Sequence, residues 1–240
     1  MGQLDGKIAI ITGAGTGIGK GIARGFANEG AKLVIASRNR KNLESTAEEL
    51  RLLGTEVTVQ PTDVTDELQV DTLFEKTMQE CGRVDILVNN SGVFDGGPLE
   101  ELTLDTWMHV LNVNLTGVFL CSRQAMKIMK RQRGGRIINI GSISAQMPRM
   151  DSAPYATTKH GIVGLTKSTA LEGREFGVVA SCIHPGNVMT ERRSISGVSA
   201  DEEPMMTPDD LAVAVVTMAA LPAHVNMYES VILPVGQLYL

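Results

Sequence analysis

Short apolar runs punctuate the chain: Ile8-Ala9-Ile10-Ile11, Leu33-Val34-Ile35-Ala36, Val57-Thr58-Val59, Ile86-Leu87-Val88, Ile137-Ile138-Asn139-Ile140, Val178 to Ile183 and Val231-Ile232-Leu233. Most are apolar at successive positions, where a strand with one wet face would alternate. Unbroken β-branched runs of this kind predict parallel strands covered on both faces. Between them the period changes. Ile18, Ile22 and Phe26 recur every four residues, and the stretches near 40–53, 66–81, 104–131, 155–174 and 208–220 carry helical spacing. Strands alternating with such helices imply right-handed βαβ units. The predicted fold is α/β: a doubly wound parallel sheet flanked by helices on both faces, in a single domain over 1–240. No repeat, low-complexity tract or linker interrupts it, and the Gly/Ser-containing stretch 191–206 reads as a mobile substrate loop rather than a boundary.

Directly after the strands come segments rich in Gly, Asn and Ser: Gly13–Gly19, Ser37-Arg38-Asn39, Thr62-Asp63, Asn89–Gly92, Gly141–Ser144 and His184–Gly186. In an open Rossmann-type sheet, ligands bind outside the carboxyl ends of the strands, so these segments describe one long crevice.

Composition narrows the function classes. With 43% hydrophobic and 20% charged residues in 240, the chain is an ordinary globular one, long enough to fold without disulfides or metal. A net charge of -5 argues against a nucleic-acid surface, which carries a basic excess. Cys81, Cys121 and Cys182 are far apart, and His109, His160, His184 and His224 are scattered, so no metal site is expected. The first residues show neither a secretion signal nor a myristoylation pattern, and the apolar run Leu211 to Leu221 is shorter than the roughly 20 residues a bilayer crossing needs. A cytoplasmic protein without a membrane partner is the expectation.

The stretch Thr12-Gly13-Ala14-Gly15-Thr16-Gly17-Ile18-Gly19 lies between the first strand and the first helix. Its glycines permit a tight turn and close backbone approach, and the helix start offers unpaired N–H groups to a pyrophosphate. At the end of the second strand, an acidic residue would bind the ribose 2′-hydroxyl of NAD, whereas an Arg accommodates the 2′-phosphate of NADP. Ser37 and Arg38 stand there, with no carboxylate, which favours NADP(H) over NAD.

Tyr155 and Lys159 lie one helical turn apart on one face. A free phenol, with a pKa of about 10, is a poor base near neutrality. A neighbouring ammonium and a positive nicotinamide favour its ionised form, so that it can give a proton to a carbonyl oxygen or take one from an alcohol. Tyr-x-x-x-Lys is weakly specific by itself. Together with the glycine pattern at 12–19, Asp63, Asn89-Asn90-Ser91-Gly92, Asn114 within Val113–Gly117, Ser142 and Pro185-Gly186, the chain resembles the short-chain dehydrogenase/reductase family over essentially its whole length.

The resemblance implies a catalytic set of Asn114, Ser142, Tyr155 and Lys159. Ser142 would hydrogen-bond the substrate oxygen, Lys159 would also hold the nicotinamide ribose, and Asn114 would hold a water linking Lys159 to solvent. It further implies that Asp63 contacts the adenine, that Asn90 and Gly92 line the cofactor floor, that Thr190 contacts the carboxamide, and that Val64, Pro185, Gly186 and Val188 also bind the cofactor. A homodimer or homotetramer through the long helices 104–131 and 155–174 is also implied. Three departures stand out: Asn89–Gly92 reads NNSG rather than NNAG, position 16 is Thr where NADP-preferring relatives often carry a base, and Pro234–Gln237 replaces the usual Val-Asp-Gly-Gly.

The stretch from Leu221 to Val235 is similar to the ending of a subgroup acting on 3-hydroxy acids and serine. An acidic substrate would need a cation near Tyr155, for which Arg149, Arg192 and Arg193 are the candidates; the competing reading makes them solvated loop charges. A simple ketone or a 3-oxoacyl thioester fits the same pattern. A dinucleotide-binding sensor without turnover is the reading from another class, and the retained Tyr and Lys speak against it.

Overall fold

The computed structural model describes residues 2–191 and 203–238. Its strands are β1 (Ile8–Thr12), β2 (Lys32–Ser37), β3 (Val57–Pro61), β4 (Ile86–Asn89), β5 (Gly135–Ile140), β6 (Val178–Pro185) and β7 (Glu229–Ile232). They form one parallel sheet in the order β3-β2-β1-β4-β5-β6-β7. The helices are α1 (Gly17–Asn28), α2 (Arg40–Leu52), α3 (Glu67–Cys81), α4 (Leu104–Leu111), α5 (Gly117–Gln132), α6 (Ala153–Gly173) and α7 (Pro208–Ala220). The strand order reverses between β1 and β4, and a crevice opens beyond their carboxyl ends.

The unbroken apolar runs have a simple cause. Ala9, Ile11, Leu33, Ile35, Ile86, Val88, Ile138 and Ile140 join a core on one face with Ile22, Phe26, Leu43 and Val215. Their neighbours Ile10, Val34, Ala36, Leu87 and Ile137 enter a second core on the other face with Leu73, Phe74, Leu120 and Met129. Side chains alternate sides along a strand, so two wet-free faces require every position to be apolar.

The helical reading of 104–131 conceals a defect. A five-residue π turn, Asn112–Thr116, separates α4 from α5. It turns the buried Asn114 toward the β4 exit, where its Oδ1 accepts from Val93 N at 2.8 Å and its Nδ2 donates to Val93 O at 2.8 Å. Such a turn inserts one residue without changing the hydrophobic period enough to be seen, and it is common at functional sites. Helix α6 starts at Ala153, two residues before the expected 155, because Pro154 suits the first helical turn.

The helix that carries the Tyr–Lys pair is tied to the sheet by buried polar groups. Asn89 Nδ2 donates to Ser122 Oγ and Asn139 Oδ1 (3.0 and 2.8 Å), and Asn139 Nδ2 donates to Thr166 Oγ1 on α6 (2.8 Å). A fully partnered buried network fixes one relative placement of β4, β5, α5 and α6. On the opposite face, α1 and α7 approach closely at Gly21, where an added Cβ would stand 2.6 Å from Pro208 Cβ and 2.8 Å from its carbonyl.

Candidate active site

The crevice is a cavity of about 610 Å³ along the carboxyl edge of the sheet. Of the residues expected at the cofactor, Gly13, Gly15, Thr16, Gly17, Ile18, Ser37, Arg38, Asp63, Val64, Asn90, Gly92, Tyr155, Lys159, Pro185, Gly186, Val188 and Thr190 line it, as does Ser142. Gly19 and Asn114 do not; they stand behind the wall and shape it.

The glycine turn is built around Asn90. Its Nδ2 donates to Thr12 O and Gly13 O, both at 3.1 Å, while Asn90 N and Ser91 N donate to Thr12 Oγ1 at 3.0 and 3.1 Å. Gly13 has φ +66° and Gly17 φ +52°, where side chains are strained. A Cβ on Gly19 would meet Gly13 O at 2.2 Å, so this position sets the spacing between α1 and the turn. Thr46 Oγ1 donates to Gly15 O at 3.2 Å. A cradle that side chains would fill, at the start of a helix, fits a pyrophosphate.

At one end of the cradle Arg38 is exposed and makes no ion pair or hydrogen bond among the described residues. Asp63 Oδ1 accepts from Thr65 N and Thr65 Oγ1 at 2.9 and 2.8 Å, leaving Oδ2 for a ligand. At the other end, Thr190 closes over Gly17, whose Cβ would lie 3.2 Å from Thr190 Cγ2.

The chemical corner lies where β5 meets α6. Lys159 is 6% exposed; its Nζ donates to Ile140 O at 2.9 Å and sits 5.4 Å from the Tyr155 ring centroid. Two of its three donors remain free for a ligand. Phe94 packs on Tyr155 with centroids 4.9 Å apart and planes tilted by 58°. The Tyr155 hydroxyl has no hydrogen-bond partner among the described residues, and Tyr155 lines the cavity. Ser142 Oγ accepts from Ser144 N at 3.1 Å, which aims the oxygen and leaves its own hydrogen to donate.

The side chain of Asn114 has a structural task of its own. Both ends of its amide are spent on Val93, and Nδ2 also reaches Thr158 Oγ1 at 3.4 Å. The side chain therefore holds the segment after β4 in place.

Two contributors escaped the sequence reading. His184, placed there in the crevice segment His184–Gly186 but given no role of its own, is fully buried under Ser142. Its Nδ1 is 3.2 Å from Ser142 N and 2.8 Å from Ser142 O; a neutral Nδ1 accepts from the first, and a protonated one donates to the second. Its Nε2 lies 3.1 Å from Glu229 Oε1, off the line of a good hydrogen bond. The second is Gln237, in the divergent ending: its Oε1 accepts from Asn187 N at 2.7 Å and occupies the space a Gly186 side chain would need. The place of His184 at a strand end was legible, but its contact with Ser142, like that of Gln237 with Asn187, depends on the strand order.

Burial pushes the His184 ring below its ordinary pKa of 6.5, against the opposing pull of Ser142 and Glu229; the Lys159 ammonium adds to the lowering. A depressed histidine costs stability as the pH falls, because the unfolded chain takes up a proton that the folded one resists. Its contribution is complete above about pH 6.5 and is lost as the pH drops through the lowered value. Melting temperatures of the protein and of His184→Gln, followed downward from neutral pH, should converge; parallel curves would refute this origin.

Arg192 and Arg193 lie outside the described residues, as does most of the proposed 191–206 loop. Of its described end, Met206 is buried and bridged in parallel to Val188, with Met189 N donating to Met206 O at 2.8 Å.

The family profile described as short chain dehydrogenase matches residues 7–197. The chain belongs to the short-chain dehydrogenase/reductase family, and it is an oxidoreductase of that family. It is 38% identical over 195 residues to an uncharacterized oxidoreductase of Bacillus subtilis, covering 80% of this chain and 76% of the relative. A short-chain type dehydrogenase/reductase from Mycobacterium marinum superposes with a TM-score of 0.91 at 31% identity, covering 95% and 94% of the two chains. The actinorhodin polyketide ketoreductase, whose structure was solved with NADPH, superposes with a TM-score of 0.88 at 32% identity over 98% of each.

Proposed function

We propose that the protein, as one domain, is an NADP(H)-dependent carbonyl reductase or alcohol dehydrogenase in which Tyr155 is the general acid/base. The observation that carries this reading is the meeting of three groups in the cavity that the glycine turn also lines: an unpartnered phenol, a serine hydroxyl with a hydrogen to give, and a buried ammonium.

When bound, the nicotinamide supplies or accepts the hydride. Tyr155 hands its hydroxyl proton to the substrate oxygen in reduction and takes it back in oxidation. Ser142 donates a hydrogen bond to that oxygen, where negative charge develops. Lys159, fixed by Ile140 O, directs its free donors at the ribose and its charge at the phenolic oxygen. Asn114 holds the loop that carries Val93, and a water associated with it would lead protons from Lys159 to solvent. Following reduced-nicotinamide absorbance against ketones, 3-oxo acids and acyl thioesters tests the reading; a chain that binds no dinucleotide would end it.

The NADP preference is supported by the unpaired Arg38 beside Ser37 and by the NADPH-bound ketoreductase neighbour. Arg38→Asp is expected to weaken NADPH binding roughly 10- to 100-fold, the worth of a charge-assisted bond plus the new repulsion, while NADH binding improves or holds. Equal loss for both cofactors in a fluorescence titration would refute the 2′-phosphate contact.

A homo-oligomer through α4, α5 and α6 is supported by Leu104, Met108 and Phe119, which are exposed on this face. A reducing, cytoplasmic setting is supported by cysteines that are all free, with burial pushing Cys121 and Cys182 up to about 12. No described helix is long and apolar enough to cross a membrane.

A further inference from the structure

Three cations line the cavity among the described residues: Arg38, Lys159 and Arg149. The reaction outlined above employs the first two and leaves the third without a task.

Arg149 is held in place with some effort. It sits in the turn between Ser142 and α6, six residues before Tyr155. The buried Ser152 donates its Oγ hydrogen to Arg149 O at 2.6 Å. Asp151 takes φ +57°, which few non-glycine residues adopt, and its carbonyl accepts from Gly97 N at 2.9 Å. Strain of this kind persists where surrounding structure enforces it, and it concentrates at ligand sites.

The guanidinium itself is positioned yet not neutralised. Its Nη2 donates to Asn187 Oδ1 at 2.9 Å, and it has no carboxylate partner among the described residues. An amide oxygen orients a guanidinium without cancelling its charge. Asn187 is in turn steadied by Gln237 Oε1 on its backbone N–H and donates Nδ2 to Glu203 Oε2 at 3.1 Å. The acidic lining residues stand elsewhere: Asp63 toward the adenosine end, and Glu191 with its Oε2 beside the Gly17 turn. Next to Tyr155 the wall is the apolar face of Phe94. The cavity that holds Tyr155 and Phe94 is thus also lined by a guanidinium with free donors.

We propose that Arg149 anchors the carboxylate of the substrate, making the natural substrate a small oxo or hydroxy acid. This rests on the reductase reading above. A planar guanidinium meets a carboxylate through two parallel hydrogen bonds, which fixes orientation as well as charge. That fixed orientation presents the substrate's carbonyl carbon in one direction.

The test uses acetoacetate, methyl acetoacetate and acetoacetyl-coenzyme A with NADPH, on the parent protein, Arg149→Gln and Arg149→Lys. The parent should prefer acetoacetate to its ester. Arg149→Gln should raise KM for acetoacetate about 10- to 100-fold, as loss of a charge-assisted bond does, and leave the ester nearly unchanged. Arg149→Lys should recover part of the loss. Calorimetric binding of acetoacetate to NADPH-loaded Tyr155→Phe, with and without Arg149→Gln, reads the same contact without turnover. Ester and acid used alike, or acetoacetate binding indifferent to Arg149→Gln, would overturn the anchor while ester turnover kept the reductase reading alive. An effect confined to acetoacetyl-coenzyme A would overturn it too, by moving the anion to a phosphate.

Discussion

Tyr155→Phe is expected to lower turnover roughly 10²–10⁴-fold, the usual worth of a positioned proton donor, with NADPH affinity unchanged. The ring of Phe keeps the contact with Phe94 and the fold of the α6 start, since the hydroxyl has no protein partner among the described residues to lose. The variant therefore separates chemistry from binding. Stopped-flow or steady-state rates beside a fluorescence titration of NADPH give the two readings. Near-normal turnover with Phe at this position would show that another group moves the proton.

Gly19→Ala is expected to abolish tight dinucleotide binding and to destabilise the fold by about 1–3 kcal/mol or more, as overpacking against an unyielding neighbour does. The added methyl would meet Gly13 O at 2.2 Å and the Asn90 amide nitrogen at 2.4 Å. Neither can retreat cheaply: Gly13 O is backbone in a left-handed turn, and Asn90 Nδ2 already donates to it and to Thr12 O. Helix α1 must then tilt away from β1, and its N-terminus leaves the place where a pyrophosphate would sit. A melting curve and a titration of NADPH check both halves. An alanine variant with parental melting temperature and affinity would show that the turn is softer than this geometry.

These two sites differ in how visible they were. Tyr155, Lys159 and the glycine turn were legible because spacing along a chain is spacing in space within one helix or one turn. The strands were legible because each successive side chain enters one of two cores, as Ile10 and Ile11 do. The π turn at Asn112–Thr116 was not, since one inserted residue barely disturbs an apolar period, and with it went the task of the Asn114 side chain. His184, Glu229, Asn187 and Gln237 were invisible as a group. They come from β6, β7 and the segments beyond, and their meeting depends on which strands are neighbours.

The primary structure determined the parallel sheet, the dinucleotide turn and the Tyr–Lys pair, because burial on two faces, a glycine-only backbone and helical periodicity are local requirements that residues must meet in sequence. Tertiary structure decided which side chain orients Arg149, what buttresses Ser142 and what the Asn114 side chain holds. Those contacts join residues 21 to 50 positions apart, as Asn114 with Val93 and Asn187 with Gln237, and they exist only after the strands have taken their order.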